Sequence, residues 1–151
     1  MPTSLVSTGV QFPDNSIQTT AASAGGMTLI GTGNINANLT FTSIPSYKMI
    51  VIICSNAYTN GGWNFGYSTN NGSSYTDTGT ISGMNNSFPT SVVCTMYNTN
   101  ITATKFVTYV GAFGTGTETR SNYVSAGVVN AIRLNFGGFL GGGLVYVYGV
   151  N

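Results

Sequence analysis

Apolar and polar residues alternate with a period of two in several parts of the chain. Trp63-Asn64-Phe65-Gly66-Tyr67-Ser68, Val92-Val93-Cys94-Thr95-Met96-Tyr97 and Ile132-Arg133-Leu134-Asn135-Phe136 all show the pattern, and in the second Val92, Cys94 and Met96 share one face. Successive side chains of an extended strand point to opposite faces, so each segment is predicted to be a strand with one buried and one wet face. Residues 47–54, 106–113 and 144–150 are instead apolar at both parities. Such strands are expected at the centre of a sheet, covered on both sides or packed against another subunit. No window sustains apolar residues at i, i+3, i+4 and i+7, and Thr, Val, Ile, Tyr and Phe dominate the periodic segments. Helix is expected to be close to absent.

Turn signals separate these runs. Asn70-Asn71-Gly72 lies between two of them, and Asn and Gly tolerate the positive φ of a type I′ turn, so residues 62–77 are predicted to form a β-hairpin. Further breaks are expected at Ile44-Pro45-Ser46, Gly83-Met84-Asn85-Asn86, Phe88-Pro89, Thr115-Gly116-Thr117 and Gly137-Gly138. Gly137-Gly138 and Gly141-Gly142-Gly143 read as a bent hairpin before the last strand. The spacing predicts an all-β fold, an antiparallel two-sheet sandwich of the jelly-roll kind. Ala21-Ala22-Ser23-Ala24-Gly25-Gly26 holds no large side chain and reads as a linker. It divides the chain into an N-terminal arm, 1–26, and a sandwich domain, 27–151.

Composition sharpens the picture. With 151 residues, one core is the default. Four basic and three acidic residues make 5% of the chain, against about 25% in an average soluble protein. A net charge of +1 with no basic cluster excludes the footprint of phosphate-backbone binding, so no nucleic-acid partner is expected. The aliphatic run Met49-Ile50-Val51-Ile52-Ile53-Cys54 is far short of the ~20 residues of a spanning helix, and the N-terminus has no secretory pattern. Synthesis in a bacterial cytoplasm without membrane insertion follows as the expectation. Cys54 and Cys94 sit inside apolar strand patterns and are expected to be unpaired core thiols. So little charge, with strands apolar on both faces, is easier to satisfy in an oligomer than in a monomer.

Within the arm, Val10-Gln11-Phe12 and Ser16-Ile17-Gln18 flank a Pro13-Asp14-Asn15 turn, in which Pro presets φ and Asn tolerates the left-handed region. A two-stranded ribbon this polar is not stable alone in water, so it is expected to pair with a partner. Gly9-Val10-Gln11-Phe12-Pro13-Asp14-Asn15-Ser16-Ile17-Gln18-Thr19-Thr20-Ala21 resembles the G-x-x-F-x-D-G-[ST]-x-Q-[ST]-[ST]-A segment recurrent in bacteriophage tail-fibre and virion structural proteins. Asn15 stands where that family usually has Gly. The resemblance extends to Tyr67-Ser68-Thr69-Asn70-Asn71-Gly72-Ser73-Ser74-Tyr75 and to Val145-Tyr146-Val147-Tyr148-Gly149-Val150. It implies a virion component, commonly a homotrimer, mounted on other virion proteins through an arm in which Phe12, Pro13, Asp14, Asn15, Ile17 and Gln18 make the attachment. A capsid decoration protein that bridges capsomers is the second role compatible with it.

The candidate chemistry is sparse. The chain has no His, which removes the usual general base and the commonest metal ligand. Asp14, Asp77 and Glu118 are its only carboxylates, and Asp77 and Glu118 are expected in solvated loops rather than as a catalytic pair. No enzyme activity, cofactor or metal site is expected. Nine Tyr, eight Phe and Trp63 among Asn, Thr and Ser form a composition suited to sugars, rings covering apolar sugar faces and amides or hydroxyls taking the hydroxyl groups. Tyr58, Trp63, Tyr67 and Tyr75 cluster around the predicted hairpin and are the candidate contacts to a host-surface glycan, Tyr58 and Tyr75 lying nearer loop positions.

Overall fold

A computed structural model describes residues 4–6, 9–11, 17–18, 26–35, 38–57, 63–81, 90–113, 116–136 and 142–151. For some strand residues, Trp63 among them, the backbone alone is described. Three strands belong to the arm: β1 (Ser4–Val6), β2 (Gly9–Gln11) and β3 (Ile17–Gln18). Ten follow: β4 (Met27–Asn34), β5 (Leu39–Phe41), β6 (Met49–Ala57), β7 (Trp63–Ser68), β8 (Thr76–Ile81), β9 (Thr90–Tyr97), β10 (Ala103–Phe113), β11 (Gly116–Ala126), β12 (Ala131–Phe136) and β13 (Leu144–Val150). There is no helix among the described residues.

The ten later strands form two antiparallel sheets, one ordered β11-β10-β9-β6-β13-β4 and one ordered β5-β12-β7-β8. Set the β10–β11 hairpin aside and four strands remain in each sheet, β4-β13-β6-β9 and β5-β12-β7-β8. The chain alternates between the sheets at every step except β7–β8, which gives the double Greek key of a jelly roll. The β10–β11 hairpin is an insertion that extends the first sheet beyond β9, with Phe113 paired to Gly116 across its tip.

Inward positions of both sheets meet in one core. Ile50, Ile52 and Cys54 of β6, Val92, Cys94 and Met96 of β9 and Val145 and Val147 of β13 face Phe65 of β7 and Ile132, Leu134 and Phe136 of β12. These are the inward parities predicted for the alternating segments. Both cysteines are free and buried. Two polar groups are built into this interior. Thr78 donates its hydroxyl proton to the Phe65 carbonyl at 2.8 Å and also bonds Tyr109 on the opposite sheet. A threonine hydroxyl has one proton, so Tyr109 is the donor to Thr78. Lys105 is fully buried, and its ammonium donates to the carbonyls of Ile101, Ala103 (3.0 Å) and Ala126 (3.3 Å), which uses all three of its N–H groups.

Several expectations change. β7 and β8 form the predicted hairpin, but β8 begins only at Thr76, so the turn sits within a longer loop. β12 and β13 lie in different sheets, so the glycine-rich segment between them crosses the sandwich and is not a hairpin. β11 starts at Gly116, inside the expected Thr115-Gly116-Thr117 break, because eleven paired positions on β10 extend a strand that its Thr- and Ser-rich sequence does not advertise. Asp77 and Glu118, expected in loops, lie in β8 and β11. In the arm, β2 pairs with β3 as predicted and β1 adds an unexpected third strand, giving the order β1-β2-β3. No strand of that small sheet pairs with either larger sheet. The Phe12, Pro13, Asp14 and Asn15 turn, residues 21–25 of the linker, Tyr58, and the breaks at 83–86, 88–89 and 137–138 lie outside the described residues.

Candidate functional site

The two sheets present opposite chemistry to the outside. On the six-stranded sheet, the outward parity brings together Met49, Val51 and Ile53 of β6, Val93 and Tyr97 of β9, Phe106 and Val110 of β10, Leu144, Tyr146 and Tyr148 of β13 and Met27 and Leu29 of β4. Met27, Leu29, Val93, Tyr97, Val110 and Leu144 remain between 39% and 53% exposed. Val93 and Val110 are cross-strand neighbours, and Tyr97 stacks on Phe106 with ring centroids 5.8 Å apart. None of the described residues on this face is charged. Six strands about 4.8 Å apart, with four outward positions along each, give a plan area on the order of 500 Å². Apolar patches at this end of the range seen on monomers usually mark an interaction site.

The four-stranded sheet is polar outside. One row of register partners runs Thr40, Arg133, Gly66, Asp77 across β5, β12, β7 and β8, and the adjacent row holds Asn135 and Asn64. Gly66 is what allows the first row to close on itself. A Cβ at that position would lie 2.9 Å from Asp77 Oδ1, so only glycine leaves room for the Arg133 guanidinium to pair with Asp77 across it, at 3.3 Å. The guanidinium also lies over the Tyr75 ring, 4.7 Å from its centroid. Four shielded side-chain atoms have no hydrogen-bond partner, and all four belong to this face: Asn64 Oδ1, Asn135 Oδ1, Arg133 Nε and the Tyr75 hydroxyl.

Tyr75 is positioned by the loop before it. Asn71 and Gly72 both have positive φ, 55° and 89°, and the Ser73 N–H donates to the Asn70 carbonyl at 3.3 Å, as the Asn-Asn-Gly signal predicted. The turn is fixed to two neighbouring loops. Asn71 Oδ1 accepts from the Ser43 N–H at 2.6 Å, and the Asn71 N–H donates to Asn130 Oδ1 at 2.7 Å. Asn70 closes it from within, its Oδ1 accepting from Ser68 Oγ at 2.7 Å and from the Ser74 N–H at 3.0 Å.

Of the four aromatic residues singled out from sequence, only Tyr75 has a described side chain at this surface. Tyr67 is a correction: it shares the parity of Phe65, faces the core and is 4% exposed, so it cannot contact an external ligand. Trp63 lies in β7, paired with Phe136 and Ile81. The residues that sequence reasoning missed are Asn64, Arg133 and Asn135. Their signal was present, since they occupy the polar parity of the alternating segments 63–68 and 132–136. What the sequence lacked was the pairing of β7 with β12 that puts them side by side.

No protein-family model matches the chain, and no curated protein matches it.

Proposed function

We propose that this chain is a non-enzymatic virion structural protein of a bacteriophage, a short homotrimeric tail-fibre or spike-like component mounted by its arm on other virion proteins, with its sandwich domain facing outward toward the host surface. The observation that carries the assembly is the uncharged apolar outer face of the six-stranded sheet, which a second copy would cover. The arm's resemblance to the fibre-family segment supports the virion placement. In a threefold assembly the interface is heterologous, so this face meets a different part of the next subunit rather than its own image. With no like charges on it, approach of another copy carries no repulsion.

Sedimentation of the full chain tests the assembly. Wild type is expected at the mass of a trimer, and Val93→Lys combined with Val110→Lys is expected to yield folded monomer, because two ammonium groups would have to be buried side by side in the interface. A wild-type monomer at micromolar concentration would sink the oligomer. The place in the particle is read from copy number in purified virions. A band rivalling the major capsid protein would replace the fibre role with capsid decoration.

A further inference from the structure

We infer that the outer face of the four-stranded sheet is a binding site for a neutral saccharide, held by Asn64, Tyr75, Arg133 and Asn135. This deepens the host-adsorption part of the proposed function by naming the ligand class and the residues. The four unpartnered atoms decide the class. Asn64 Oδ1 and Asn135 Oδ1 only accept, Arg133 Nε only donates and the Tyr75 hydroxyl does both. An anion only accepts, so it would leave both amide oxygens unserved and would sit beside the Asp77 carboxylate. A cation only donates, so it would leave Arg133 Nε unserved and would face the guanidinium. A hydroxyl donates and accepts, and a ligand bearing several hydroxyls on a rigid frame can serve all four atoms at once.

Charge points the same way. Arg133 already faces Asp77 and the Tyr75 ring, so the face is neutral as a whole and lacks the uncommitted cation that phosphate or sulfate recognition uses. Two of the acceptors stand on directly paired residues, Asn64 and Asn135, whose separation is set by two hydrogen-bonded strands. Tyr75 is held by the pinned Asn70–Ser73 turn. Groups fixed in this way lose little conformational entropy when a ligand arrives.

The test is a titration followed in ¹⁵N–¹H spectra of the full-length protein, reading the side-chain amides of Asn64 and Asn135 and the Nε–H of Arg133. The probes are neutral tetrasaccharides of glucose, galactose and mannose, and separately sodium sulfate at matched ionic strength. At least one saccharide is expected to move these three signals saturably, and Tyr75→Phe with Asn135→Ala is expected to weaken it tenfold or more with the melting temperature preserved. Sulfate is expected to leave the signals in place. Movement by sulfate alone, or by none of the probes, overturns the proposal. The titration is run on the wild-type chain and on the Val93→Lys, Val110→Lys variant, so that loss of assembly and loss of sugar binding are separate outcomes. If a second copy covers this face instead, the three signals differ between those proteins and no saccharide moves them, which also overturns it.

Discussion

Cys54 and Cys94 show how a single position is governed by its register. Cys54 pairs with Val92 and Ile52 pairs with Cys94, so the two cysteines are diagonal neighbours on β6 and β9. Diagonal partners stand about 7–8 Å apart, too far for a disulfide without backbone movement, and both remain thiols. Burial disfavours the thiolate. It pushes Cys54 from 9.0 up to about 12, and it pushes Cys94 well above its ordinary value, with Cys54 adding to the effect. A thiol whose folded pKa is raised contributes stability that is complete below the unfolded value and is lost as pH climbs above 9. Each thiol is expected to lower the unfolding free energy by about 1.4 kcal/mol per pH unit in that window. Lys105 has the opposite sign. Desolvation lowers its pKa from 10.5, so its ammonium is disfavoured in the fold and stability from this group rises with pH as that pKa is passed. Urea denaturation at pH 8, 9 and 10 should therefore show a steeper alkaline loss for wild type than for Cys54→Ala, Cys94→Ala. Equal slopes would mean that neither thiol is shielded from water.

At the scale of elements, the crossing from β12 to β13 depends on one glycine. Gly143 has φ +101°, and a Cβ there would lie 2.8 Å from the Asn56 carbonyl oxygen and 2.9 Å from that of Ser55. The site of contact is the irregular end of β6, where pairing with β9 shifts register between Cys54 and Ala57 and Asn56 takes φ 54°. From the same glycine, the carbonyl accepts the Ile35 N–H at 3.0 Å and so fixes the exit from β4. Gly143→Ala combines an unfavourable backbone conformation with a clash against main chain, which cannot swing aside as a flexible side chain would. It is expected to cost about 2–4 kcal/mol in chemical denaturation, whereas Gly127→Ala, whose Cβ would meet the Thr69 side chain at 3.6 Å, should cost less than 1 kcal/mol. Comparable losses at both sites would contradict the close approach. The same elements mark what a sequence can disclose. β7, β9 and β12 were legible because one parity is apolar and the other polar, and the Asn70-Asn71-Gly72 turn because its φ values require those residue types. β11 was not, since its pairing comes from the long β10 beside it rather than from its own pattern. The polar face was half legible: the wet parity of each strand could be read, but the neighbour that completes the row is set by the Greek-key crossings, which lie far apart in sequence.

For the whole molecule, the contrast between the two outer faces gives the domain a direction. One sheet offers an uncharged apolar surface to a neighbour, and the other holds fixed polar atoms with unmet hydrogen-bonding capacity. The arm belongs to neither sheet. β1, β2 and β3 bond only to one another, and both larger sheets have their strand orders complete without them, β4 forming one edge of the six-stranded sheet through its pairing with β13. The core is likewise assembled from residues at and after Ile30. A chain of residues 27–151 is therefore expected to fold as the full chain does. Its melting temperature should stay within about 2 °C of the full chain's, less than the roughly 4 °C by which a loss of 1 kcal/mol would move a domain of this length. Saccharide titration should give the same affinity, because Asn64, Tyr75, Arg133 and Asn135 all lie within the sandwich. Attachment to the particle should be abolished, read as absence of the truncated chain from purified virions when it is expressed in place of the full one. Loss of folding on truncation would make the arm part of the sandwich, and normal incorporation would move the mount from the arm to the domain itself.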